Sequence, residues 1–195
     1  MKWTWIGAQG VPPAAMLEAL GLEPAPDRAP GGWRDAEYMM RTFPDEWTIV
    51  ISEARLKLDA ALPAVAAVNE GVTIGCDATT VVMASEVRVY ENGQPLWSAS
   101  HDPEDDMLNL DVQGEPPARL AALLAEARAK TEEHDEVDFV FDVAMNLVAE
   151  RTGFMAEPDQ HRDWTPLRKV KAQAVQGASS EGPLAALLRV FGLKR

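Results

Sequence analysis

The chain has 195 residues, 47% of them hydrophobic and 25% charged, values of an ordinary globular protein that exclude wholesale disorder and a fibrous repeat. That length suits one domain, or one domain with an appendage, burying roughly 70% of its unfolded surface. The formal net charge of −13 is unevenly divided: from His161 onward seven basic residues stand against Asp163 and Glu181, a tail of +5 that leaves the preceding body at −18. Such a body repels phosphate and is drawn toward basic surfaces, in a way that salt weakens. The single cysteine, Cys76, excludes an internal disulfide and a zinc site built of thiolates.

Met1 to Ala8 reads as a strand, with Trp3 and Trp5 on one face and Thr4 and Ile6 on the other. A short helix follows, opened by Pro12-Pro13, with Met16, Leu17 and Leu20 as its apolar face and Gly21 at its C-terminal cap. Glu23 to Trp33, rich in proline and glycine, reads as an irregular surface loop. Ala36 to Phe43 and Glu46 to Glu53 form a strand pair around Pro44-Asp45, the second strand carrying the β-favouring run Trp47 to Ile51. A helix is expected over Leu58 to Glu70, capped by Asp59, with Pro63 in its first turn and Gly71 as terminator.

Val72 to Cys76 and Thr80 to Glu91 are rich in β-branched residues. Asn92-Gly93 is the preferred dipeptide of a two-residue type I′ hairpin, because both central positions need positive φ, and Leu96 to Ser100 returns. Met107 to Val112 is a further strand. Pro116-Pro117 opens a helix whose Leu120, Leu123, Leu124 and Ala127 recur at helical spacing. Val137 to Phe141 is open between strand and helix, whereas Asp142 and Gly153 frame a helix around Met145, Leu147 and Val148. Helices interspersed with hairpin-linked strands point to an α+β fold, a mostly antiparallel sheet with packed helices, followed by a C-terminal linker and an amphipathic helix.

The expected division is an acidic α+β domain over 1–165, a basic flexible linker over 166–182 and an amphipathic docking helix over 183–195. In the last of these Leu184, Leu187, Leu188 and Phe191 make one apolar stripe. A helix of about nine residues is not stable alone in water. Full burial of the four side chains is worth at most about 6–12 kcal/mol before ordering costs, so the stripe requires a receiving surface. Its own domain, a partner's groove and a membrane surface are the candidates. Only Arg189, Lys194 and Arg195 lie near it, so attachment to a membrane would be peripheral.

Chemistry-bearing constellations are sparse. His101, Asp102, Glu104, Asp105 and Asp106 crowd one loop, where a hard cation could gather oxygens, but the glycine and terminal glutamate of a calcium loop are replaced by Met107 and Gln113. A solvated acidic turn is the simpler reading, as it is for Glu132 to Glu136. No Gly-x-Ser-x-Gly elbow and no phosphate-binding glycine loop occurs, and Cys76 in a β-rich segment reads as a small buried hydrophobe. The six tryptophans read as core or edge packing in preference to a sugar-binding face.

The expectation is therefore a non-enzymatic acidic binding or regulatory protein, of inhibitor, immunity or adaptor type, engaging a protein partner and no nucleic acid; its acidity either favours a basic partner surface or simply keeps the protein in solution. The C-terminal stripe is its candidate contact. No catalytic residue, metal ligand or cofactor is expected. The alternatives are a metal-assisted hydrolase using His101 with Asp102, Asp105 or Asp106, and a peripheral adaptor tethered by its C-terminal helix. Lys2 precedes no continuous apolar run of the kind a secretory signal needs, and no stretch approaches the roughly 20 apolar residues of a membrane span, so the expected location is the cytoplasm.

Overall fold

A computed structural model describes residues 1–53, 56–134, 137–156 and 163–170. Its backbone is one nine-stranded sheet in the order β2-β9-β3-β4-β1-β5-β6-β7-β8, every neighbouring pair antiparallel. The strands are β1 (Lys2–Gln9), β2 (Leu22–Pro24), β3 (Tyr38–Thr42), β4 (Trp47–Ser52), β5 (Val72–Thr79), β6 (Ala84–Glu91), β7 (Gln94–His101), β8 (Asp111–Gly114) and β9 (Thr165–Lys169). Five helices accompany them: α1 (Pro13–Leu20), α2 (Leu58–Ala66), α3 (Pro103–Asp106), α4 (Ala118–Glu133) and α5 (Val143–Thr152). This is the α+β architecture that the sequence pattern implies.

Alternation along β1 explains why the centre of the sheet is covered on both sides. Trp3 and Trp5 join the larger core with Ile49, Ile51, Ile74, Cys76 and the α4 and α5 side chains, while Ile6 and Ala8 join α1 and α2 in the other. Adjacent side chains of a strand point to opposite faces, so a central strand buried on both sides must be apolar or small where it is buried, and β1 is so from Trp3 to Ala8. All six tryptophans are buried, and Phe43, Phe154 and Trp164 stack with Trp5 in a cluster of edge-on and tilted rings with centroids 5.3–5.7 Å apart.

Local signals match the structure where they are strong. Gly21 and Gly153 end α1 and α5 in the left-handed conformation. Asn92 and Gly93, at φ 51° and 76°, turn β6 into β7. Elsewhere the structure departs from the pattern. At the start of the stretch read as a loop, Glu23 and Pro24 belong to a strand, Leu22–Pro24, because they pair with Arg168 and Leu167 of β9. Residues 166–169, expected to begin the linker, belong to β9, where Leu167 is buried between β2 and β3.

Helix α2 ends at Ala66, with Pro63 inside it rather than in its first turn, and Lys57 rather than Asp59 holds the N-cap place. β5 continues to Thr79, and the turn into β6 spans residues 80–83. The strand expected from Met107 forms later, at Asp111, since Asp102 to Asp106 coil into α3. Val137 to Phe141 is neither strand nor helix; it is an extended and turning segment held by side-chain hydrogen bonds. No helix among the described residues is long and apolar enough to cross a membrane.

Candidate interaction surface

Leu184, Leu187, Leu188 and Phe191, and with them the linker from Lys171 and the terminal helix, lie outside the described residues. The candidate surface is therefore built from the sheet. On one side α2 packs on β1 and β5, and α1 packs on α2 and β2. Among the described residues neither helix extends over β7 and β8, and α2 reaches only the near edge of β6, where Asp59 meets Arg88 and Tyr90 packs on the α1 and α2 cluster. The residues that alternate toward this side on those strands are half-buried or exposed: Glu86, Arg88 and Tyr90, then Ser98 and Ser100, then Asp111 and Gln113. Across the strands Glu86 stands opposite Ser100, Arg88 opposite Ser98, and these serines opposite Asp111 and Gln113.

Two small serines flanked by long side chains make the face concave, and it encloses about 540 Å³. A register shift after Val89 adds to the shape, since Trp97 pairs with Val89 while Pro95 pairs with Tyr90, leaving Leu96 as an extra residue of β7. Gly114 closes the far strand at φ 79°, where an added Cβ would collide with the Leu96 carbonyl oxygen. Only a residue without a Cβ lets the edge strand lie this close to the bulge.

The electrostatics of the face are set by its one arginine. Arg88 Nε donates to Glu86 Oε1 and Nη1 to Asp59 Oδ1, each at 2.6 Å, and the bond to Glu86 holds the guanidinium more firmly protonated than usual. Its charge is matched twice over. With Asp111 also exposed, the face is left with excess negative charge and a row of hydroxyl and amide groups. The last strand of the sheet, β8, is exposed along all four of its residues and, among the described residues, pairs only on its β7 side.

The acidic loop after β7 is arranged differently from a cation site. His101 is 2% exposed; its Nδ1 lies 2.7 Å from the Asn109 carbonyl oxygen and its Nε2 2.8 Å from Asp138 Oδ2. Asp138 in turn accepts at Oδ1 from the backbone N–H groups of Val140 and Phe141. Asp102 accepts from the Glu104 N–H as the cap of α3, and Asp106 from the Leu108 N–H. Among the described residues no group of three histidine, cysteine, aspartate or glutamate side chains stands close enough to hold a metal.

The partner of His101 thus comes from 37 residues along the chain, inside Val137 to Phe141, the segment left open between strand and helix, where nothing in the sequence marks it. Nearby, burial and then the charge of Asp138 push the Asp142 carboxyl above its usual range. Cys76 is fully buried, and burial pushes its thiol well up, so it packs as an inert hydrophobe. No protein-family model matches the chain, no curated protein matches its sequence, and no solved structure matches its fold.

Proposed function

We propose that the chain is a non-enzymatic acidic binding or regulatory protein, which docks a basic protein partner against the open side of β6, β7 and β8. The observation that carries this reading is the pairing of Arg88 with both Glu86 and Asp59, which together with exposed Asp111 puts excess negative charge around the concavity on this side of β6, β7 and β8. An excess of one sign on a concave surface steers an oppositely charged partner and speeds encounter at low salt. The serine, glutamine and carboxylate groups supply acceptors to lysine and arginine, and the exposed β8 edge offers backbone groups to an added strand. The C-terminal stripe of Leu184, Leu187, Leu188 and Phe191 is proposed as a second contact, through which the protein would also act as an adaptor. Cytoplasmic location is part of the same reading.

The test is retrieval of a partner from native extract, followed by association kinetics with the purified pair. The doubly substituted Asp59→Asn, Asp111→Asn protein should associate about tenfold more slowly at low salt, and the difference should shrink as salt rises. Equal association rates for the two proteins at every salt concentration would remove the face from the interface. Deleting 183–195 separately measures the contribution of the stripe.

A further inference from the structure

On the opposite side of the sheet, the antiparallel helices α4 and α5 leave a second opening between the start of one and the end of the other. Its floor is Ile74 of β5, Val89 of β6 and Trp97 of β7, and its walls are Leu147 and Val148 of α5 with Pro117 at the head of α4. The cavity measures about 250 Å³ and is mostly apolar inside. Its three polar residues, Arg119, Glu150 and Arg151, are all charged. This is the composition of a small-molecule site, an apolar body with a few placed polar groups, at a size just below the roughly 300–1,000 Å³ common for larger ligands.

The charges are not equivalent. Arg119 Nη2 lies 3.3 Å from Glu150 Oε1, and Arg119 Nη1 lies 3.7 Å from Glu126 Oε1, so that guanidinium is committed to neighbouring carboxylates. Arg151 has no ion pair or hydrogen bond among the described residues, and it is exposed beside the cavity. The first turn of α4 opens in the same place without a side-chain cap on its N–H groups. The group left unmatched is therefore a cation, and it stands over an apolar hole.

We infer that this cavity binds a small amphiphilic carboxylate, its hydrocarbon part on Trp97, Val89 and Leu147 and its carboxylate on Arg151. The site lies on the other side of the sheet from the proposed docking face and is independent of it. The charge of the whole chain works against this ligand, because a protein at −13 repels anions at long range. A preference for the anion would accordingly report the local arginine.

The experiment is calorimetric titration of the full chain with octanoate, octylamine and 1-octanol, each below its aggregation threshold, with transferred magnetisation from ligand to protein methyl groups locating the site. Octanoate should bind about tenfold more tightly than octylamine, with contacts to the Leu147 and Val148 methyls. Arg151→Gln, on an exposed residue that the fold does not need, should weaken octanoate about tenfold and leave 1-octanol unchanged. Leu147→Trp, which fills the cavity, should abolish binding of all three; because it tests packing as well, the Arg151 variant and the methyl contacts stand independently of it. Equal binding of octanoate and octylamine, absence of binding, contacts elsewhere, or an Arg151→Gln protein that binds octanoate like the parent would each overturn the assignment.

Discussion

His101 and Asp138 show how much a single buried pair depends on its surroundings. The ring lies between two oxygens, the Asn109 carbonyl on one side and the Asp138 carboxylate on the other. Neither side chain reaches bulk water, with 0% and 7% of their surfaces exposed. Removing one partner strands the other, and breaking a buried pair in this way costs about 3–5 kcal/mol. His101→Ala should therefore lower stability by about that amount in urea unfolding. Asp138→Asn is expected to be far milder, within about 1 kcal/mol: its amide oxygen can keep the Val140 and Phe141 N–H groups, while its NH2 can still hydrogen-bond to the His101 ring. Asp138→Ala loses both functions and should resemble His101→Ala. Similar losses for the Asn and Ala variants would show that the hydrogen-bond geometry is not what matters there.

Among elements, α2 is the one whose placement rests on an absent side chain. Gly75 lies on the face of β5 beneath it, and a Cβ there would overlap Leu58 and come within 2.9 Å of Leu62. The helix can sit against the sheet because that position is empty. Gly75→Ala should cost about 1–3 kcal/mol as overpacking, and a double-mutant cycle with Leu62→Val should show coupling, since the shorter side chain makes room. Gly153→Ala serves as the contrast. Nothing lies within 4 Å of its Cβ, yet φ is 69°, so its cost of about 1 kcal/mol comes from the backbone alone and should be additive with Leu62→Val. Additivity at Gly75 as well would mean that α2 moves without resistance. The same contrast bears on legibility: glycines at helix ends are visible in sequence, whereas a glycine kept for a neighbour distant in the chain is not.

At the scale of the molecule, the last described strand completes the first part of the sheet. β9 lies between β2 and β3, Arg168 Nε donates to Glu23 Oε1 across 145 residues of chain, and Trp164 and Leu167 are buried. A protein ending at residue 163 loses both pairings and two large core side chains, and β2 is left without a neighbour. It should lose its cooperative thermal transition and near-ultraviolet dichroism, whereas one ending at residue 170 keeps all nine strands and should retain both. Equal melting of the two truncations would show that β9 is dispensable.

What the sequence determined by itself is local. The alternation of Trp3 and Trp5 against Thr4 and Ile6, the Asn92-Gly93 turn, the leucine spacing of α4 and the glycine ends of α1 and α5 each depend on residues a few positions apart, and their physics is written in that spacing. The tertiary structure decided the rest. That Leu22–Pro24 is a strand, that basic residues 168 and 169 belong to the sheet, that His101 meets Asp138, and that among the described residues no helix covers one side of β7 and β8 all follow from which segments meet across the chain. Pairing partners are chosen by the burial and hydrogen bonding of the assembled sheet, and neither is encoded in the periodicity of any one segment.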